Sequence, residues 1–121
     1  MKPKRIGIVG PCASGKTTLT AGLKRHGFDA HPIAQEHSYV PYMWQRLTNP
    51  DLLIYLTVSY LLTIERRRLD WTVEEYTEQL HRLRHAREHA NLYIDTDRLT
   101  PQQVLDQALS FLRLDHNLQE I

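Results

Sequence analysis

Eight residues near the amino terminus, Gly10-Pro-Cys-Ala-Ser-Gly-Lys-Thr17, satisfy every fixed position of the pattern G-x-x-x-x-G-K-[ST]. The chemistry behind that spacing is anion binding. A glycine-rich turn aims several backbone N–H groups inward and makes a nest for phosphate oxygens. A helix opening at the end of the turn adds its positive dipole end and its unpaired amides. Lys16 supplies a mobile cation for β and γ phosphates, and the Thr17 hydroxyl is a ligand for Mg²⁺. Gly10, Ala13, Ser14, Gly15, Lys16, Thr17 and Thr18 are therefore the expected seat of a nucleotide polyphosphate. At an average glycine content of about 7%, chance alone matches the pattern in well under about 1% of chains this long.

The elements that must hold this turn are legible around it. Arg5 to Val9 is a short β-branched run that reads as a buried strand, and a helix follows from Gly15 or Lys16 to a stop at His26-Gly27. Phe28 to Ala34 reads as a weaker strand, because Pro32 removes a ladder donor. Tyr39 to Leu47 reads as a loop plus a short helix. Asp51 to Leu56 is a continuous apolar run suited to a strand covered on both faces. Ser59 is placed to cap a helix reaching about Arg68. Thr72-Val-Glu-Glu75 is a capping box opening a long helix to about Ala90, with Val73, Tyr76, Leu80, Leu83 and Ala90 as its apolar stripe. Asn91 to Asp95 is the last strand. Thr100-Pro-Gln-Gln103 opens a final helix lined by Val104, Leu105, Ala108, Leu109 and Leu112. Strands alternating with helices predict a single α/β domain over residues 1–121, built on a mostly parallel four-stranded sheet.

All five glycines (7, 10, 15, 22 and 27) fall in the first quarter of the chain, so none remains for a D-x-x-G switch or an ABC-type signature, and no N-K-x-D guanine reader occurs. What is left resembles the P-loop kinase family, the small phosphotransferases related to nucleoside, nucleotide and shikimate kinases. The resemblance rests on GPCASGKTT, PDLLIYLTVS, the run Glu65-Arg-Arg-Arg68, and NLYIDTDRLTPQQVLDQAL, about half the chain. It implies a three-layer α/β/α P-loop fold with its four strands in the order 2-1-3-4, ATP with Mg²⁺ as cofactors, and transfer of the γ-phosphoryl group to a small hydroxyl or phosphate acceptor. It also implies that Asp95, Thr96 and Asp97, in the I-D-T segment after the last strand, are structural or border the adenine. Members of that family are longer and carry five parallel strands against the four read here. Three alternatives follow: a small substrate, a site or ATPase completed by a second subunit, or a nucleotide-binding regulatory module.

Such a kinase needs a carboxylate to hold water around Mg²⁺ or to take the acceptor's proton. Glu36 is the first choice, because it lies at the carboxyl end of the second strand, where open parallel sheets bind ligands. Gln35-Glu-His-Ser38 followed by Trp44 also looks distantly like the acidic post-strand motif of deoxynucleoside kinases. Asp95 competes, since Leu-Tyr-Ile-Asp imitates a Walker B strand, and Asp29 and His31 are further options. Arg66, Arg67 and Arg68 match the place of the family's lid, where at least one would clamp the phosphoryl group in flight.

Other constellations read more plainly. His81, His85 and His89 share a helix face that could chelate a metal, but a solvated polar face explains them as well. Cys12 is either a small filler of a variable loop position or a thiol activated by the helix start. Trp44 and Trp71 suit a core or an interface.

Composition closes off other classes. Fifteen basic against fourteen acidic side chains leave a net charge of +1, with no basic stripe for nucleic acid or an anionic membrane. A single cysteine excludes an internal disulfide and fits a reducing, cytoplasmic compartment. The most apolar stretch, Leu52 to Ile64, is too short and too interrupted to span a bilayer. The spare sheet edge left by a missing fifth strand makes a homo-oligomer an open expectation.

Overall fold

Four short apolar segments build the sheet of the computed structural model, which describes residues 3–67 and 70–119. They are β1 (Arg5–Val9), β2 (Asp29–Pro32), β3 (Leu52–Thr57) and β4 (Leu92–Asp95), all parallel, in the order β2-β1-β3-β4. The sheet order is the one expected from the sequence. Pro32 is tolerated because β2 lies at an edge, where a missing ladder donor faces no further strand. Between and around the strands lie α1 (Lys16–Arg25), a 3-10 turn (Gln35–His37), α2 (Met43–Leu47) and α3 (Tyr60–Arg67). After them come α4 (Val73–Arg82), α5 (Arg84–His89) and α6 (Pro101–Gln119).

Alternation along the strands gives the sheet two apolar faces, which is why the central strands read as unbroken hydrophobic runs. Ile6, Ile8, Leu52, Ile54, Leu56 and Ile94 turn to one face and meet Leu19 and Leu23 of α1 and five apolar residues of α6. Val9, Leu53 and Tyr55 turn to the other and meet Ile33, Trp44 of α2, and Leu83 and Ala86 of α5. Both predicted capping boxes form. Glu75 N donates to Thr72 Oγ1 while Thr72 N donates to Glu75 Oε1. Gln103 N likewise donates to Thr100 Oγ1 while Thr100 N donates to Gln103 Oε1.

The single long helix expected from Thr72 to Ala90 is instead two. The break falls at Leu83, whose backbone (φ −91, ψ −3) ends α4 and starts α5. Its physical cause is a competitor: the Arg82 carbonyl accepts from Gln35 Nε2 at 3.1 Å. The expected apolar stripe shifts accordingly. Val73 is exposed, and the buried positions are Gln79, Leu83 and Ala86, with Tyr76 and Leu80 half-buried. No helix among the described residues is long and apolar enough to cross a membrane.

Candidate functional site

The segment between β1 and α1 wraps the carboxyl end of the central strands. Gly10 has no room for a side chain: a Cβ there would sit 2.6 Å from the Leu56 carbonyl oxygen and from Ser14 Oγ. Ala13 (φ 67) and Gly15 (φ 97) both occupy the left-handed region. For alanine that conformation costs on the order of 1 kcal/mol and persists only where its surroundings hold it. Left-handed residues interspersed in such a turn direct successive amides to one side, the geometry of an anion nest. Among the described residues, the amides of Gly15, Lys16, Thr17 and Thr18 donate to no protein acceptor, as the first turn of a helix requires. Thr17 and Thr18 are exposed at that helix start, and Ser14 is buried with its hydroxyl unpartnered.

Lys16 folds back across the turn. Its ammonium donates to the Gly10 carbonyl at 2.6 Å and the Pro11 carbonyl at 3.2 Å, and pairs with Glu36 Oε2 at 2.5 Å. Glu36 comes from the 3-10 turn just past β2 and is almost wholly buried, its side chain only 4% exposed. Its second oxygen, Oε1, is buried without a partner among the described residues. A buried carboxylate with one satisfied and one orphaned oxygen is costly unless something else occupies the second position. Sequence spacing alone placed Glu36 at a strand end; the structure brings it onto Lys16.

The competing acids are elsewhere. Asp29 is opposite Arg5 in the β1–β2 register, at the amino-terminal end of the sheet, where it pairs with Arg5 and with His31. Asp29, the first residue of β2, thus lies at the far end of the sheet from the turn, and His31 is held to it there, so neither further option stands beside Lys16. Asp95 ends the edge strand β4 and accepts from its neighbour's amide, Asp97 N. Asp97 Oδ1 in turn accepts from Ser59 N at 2.8 Å, and the side chain lines a shallow surface hollow with Asp95 and Arg98.

Beside the turn opens a cleft of about 440 Å³. Ala13, Ser14, Gly15 and Thr18 form its floor, Arg66, Arg67 and Thr96 one wall, and Leu19, Leu99, Pro101 and Val104 an apolar wall. Thr96 borders the cleft, while Asp97 does not line it. Arg66 is committed to protein acceptors: it donates to Thr96 Oγ1 at 2.9 Å, to the Thr96 carbonyl at 2.6 Å and to the Ala13 carbonyl at 3.4 Å. Arg67 is exposed at the mouth, with no partner among the described residues. Arg68 lies outside the described residues.

Two buried glutamines hold the other side of the turn, and neither was singled out from the sequence. Gln35 accepts from Trp44 N and donates to the Val40 and Arg82 carbonyls, joining the 3-10 turn to α2 and α4. Gln79 accepts from Cys12 N at 2.9 Å and donates to Cys12 Sγ at 3.1 Å, joining α4 to the turn. Gln79 shows in the sequence only as a polar residue on the core-facing side of α4, and Gln35, in a three-residue 3-10 turn, has no periodic sign at all. The aromatic residues are structural. Trp71 Nε1 donates to buried Thr63, and Tyr60 donates to the Trp71 carbonyl, tying α3 to the start of α4. Trp44 is in the core, its Nε1 donating to His85 Nδ1 at 3.1 Å. His85 and His89 stack at 4.2 Å between ring centres beside Trp44, so that face is not simply solvated; His81 is exposed.

No protein-family model matches the chain, and no curated protein matches it.

Proposed function

We propose that the chain is a minimal P-loop phosphotransferase that binds Mg-ATP and passes the γ-phosphoryl group to a small hydroxyl- or phosphate-bearing acceptor. The observation that carries this reading is the placement of Lys16, with four undonated helix-start amides beside it, on one side of a cleft large enough for a nucleoside. Polyphosphate oxygens would take the amides of Gly15 to Thr18 and draw the Lys16 ammonium off the Gly10 and Pro11 carbonyls. The half-polar cleft fits a nucleoside, with an aromatic base against Leu99, Pro101 and Val104 and polar edges toward Thr96 and Arg66. Arg66 then acts by shaping that wall, while Arg67 retains free donors for a phosphate at the mouth.

The residues also fit magnesium. The Thr17 hydroxyl and the orphaned Glu36 oxygen are hard oxygen donors of the kind Mg²⁺ takes directly or through its water shell. When bound, the ion would neutralise charge on the β and γ phosphates. Glu36 is the carboxylate on the turn side of the sheet able to order water there or to accept the acceptor's proton. The acceptor would approach from the hollow bordered by His37, Gln79 and Arg82, on the far side of Glu36 from the nucleotide cleft.

Equilibrium binding tests the nucleotide half. Lys16→Ala is expected to weaken ATP affinity at least about 100-fold, equivalent to about 3 kcal/mol; unchanged affinity would refute the seat. Single-turnover transfer, across a panel of nucleoside, sugar and shikimate-like acceptors, tests the rest. Glu36→Gln is expected to slow transfer about 100-fold or more. ATP binding without transfer to any acceptor would instead favour a regulatory module. Turnover rising steeply with protein concentration, followed by light scattering, would favour a site completed by a second subunit.

A further inference from the structure

Among the described residues, a single group of three potential metal donors converges: Cys12, Glu36 and His37, whose ligand atoms all lie within 4.8 Å of one another. They come from two segments, the turn after β1 and the 3-10 turn after β2. Cys12 Sγ is 3.8 Å from His37 Nε2, and His37 Nε2 is 4.0 Å from Glu36 Oε2. Tetrahedral zinc, with bonds near 2.3 Å to sulfur and 2.0–2.2 Å to nitrogen and oxygen, sets sulfur–nitrogen and nitrogen–oxygen edges of about 3.5 and about 3.3 Å. The sulfur–nitrogen edge therefore needs to close by about 0.3 Å and the nitrogen–oxygen edge by about 0.7 Å, within reach of a rotamer adjustment of exposed His37.

Three further features point the same way. Glu36, nine-tenths and more buried, turns Oε2 toward both Lys16 and His37 and keeps Oε1 without a partner, so its carboxylate retains an unused acceptor beside the oxygen that faces His37. Cys12 N can only donate, which fixes Gln79 Oε1 on it and turns Gln79 Nε2 toward the sulfur at 3.1 Å. An N–H aimed at sulfur orients it, the role of an outer-shell partner in metal sites. Finally, His37 opens onto a hollow of about 450 Å³ rimmed by Glu74, Glu75 and Glu78 against a single cation, Arg82, which pairs with Glu78, so the approach is acidic on balance.

We propose that Cys12 Sγ, His37 Nε2 and a Glu36 carboxylate oxygen form a site for Zn²⁺ or a similarly thiophilic divalent ion, clamping the phosphate-seating turn to the segment after β2. On binding, the S–Zn bond forms, the thiol S–H bond breaks and its proton passes to buffer; no oxidant or reductant is involved. A thiolate–imidazole–carboxylate set selects against Mg²⁺, which prefers oxygen alone. Because both cations draw on the one Glu36 carboxylate and repel each other across it, zinc is expected to weaken Mg-ATP binding, and ATP to weaken zinc binding by the same factor. That coupling rests on the functional reading above; the site itself does not.

The test therefore uses the full chain without nucleotide. Zn²⁺ is titrated while alkylation of Cys12, the only cysteine, is followed with a thiol reagent. One equivalent is expected to slow alkylation at least about 10-fold, and millimolar Mg²⁺ to leave it unchanged. His37→Gln, at an exposed side chain, is expected to cut zinc affinity at least about 10-fold with an unaltered circular dichroism spectrum. Competition against a chromophoric chelator reads affinity in Cys12→Ser, where a loss of at least about 10-fold is again expected. Alkylation indifferent to zinc, protection that survives His37→Gln, or zinc affinity that survives Cys12→Ser would each overturn the assignment. Loss of ATP binding in Lys16→Ala bears on none of these readings.

Discussion

The two faces of the sheet are built on different principles. Beneath α1 and α6 the core is aliphatic throughout, with Ile8, Leu23, Ile54, Leu56, Ala108 and Ile94 essentially excluded from solvent. Beneath α2 and α5 the apolar cluster is half that size, and polar hubs join its elements: Gln35, Gln79, Thr63 and the Trp44–His85 bond. On the first face, burial of area holds helices against strands without specifying single partners. On the second, directional bonds between residues as far as 67 positions apart fix where each segment sits. The candidate site belongs to both, since α1 presents Lys16 from the aliphatic side and the 3-10 turn presents Glu36 from the networked side. One face anchors; the other aims.

Substitutions can break this contrast in order of size. Ile54→Ala, at the centre of the aliphatic face, is expected to cost about 4 kcal/mol through lost transfer energy and a residual cavity, read by denaturant unfolding. A cost below about 1 kcal/mol would mean that this face collapses around the hole and is not closely filled. Gln35→Leu, of similar volume, is expected to cost about 3 kcal/mol by orphaning Trp44 N and the Arg82 carbonyl. Hydrogen exchange should localise that damage to α2 and the α4–α5 junction, leaving α1 and α6 protected. A uniform loss of protection would erase the distinction between the faces.

A pH measurement sharpens the comparison further. Burial on the networked face pushes the Tyr55 phenol up to about 12, with Arg87 nearby opposing the rise. The neutral phenol is thus favoured by folding. Its contribution is complete below pH 10, where unfolded tyrosine titrates, and is lost as pH rises through about 12. Stability should therefore fall by about 2–3 kcal/mol across that window, and Tyr55→Phe should flatten the fall. An unchanged alkaline limb in Tyr55→Phe would assign it to other groups, Tyr76 among them, whose phenol burial also raises. The smallest expected effect is at Trp44→Phe, about 1 kcal/mol for the lost bond to His85, measured as a shift in the unfolding midpoint.

The same contrast explains what the amino-acid order discloses. Unbroken apolar runs, the α6 stripe and both capping boxes are local patterns, and they place the strands and the aliphatic face correctly. The glycine-and-lysine turn is local too, and its left-handed Ala13 and Gly15 follow from a tight strand-to-helix connection. Nothing local announces that Gln35 takes the Arg82 carbonyl, so one long helix was expected where α4 and α5 stand. Nor does a run of three arginines say that Arg66 spends its donors on Thr96 and Ala13 while Arg67 does not. Asp29 misled for a topological reason, since a strand's first residue in a parallel sheet lies far from the ligand end.

Arg66 carries one more consequence. Its flat guanidinium spans three oxygens on two loops that follow different strands, a reach that a point-charged ammonium does not duplicate. The aperture between those loops is thus gauged by one side chain anchored on α3, and any pivot of that helix widens or narrows the opening by a comparable distance. A helix eight residues long becomes the handle of a caliper.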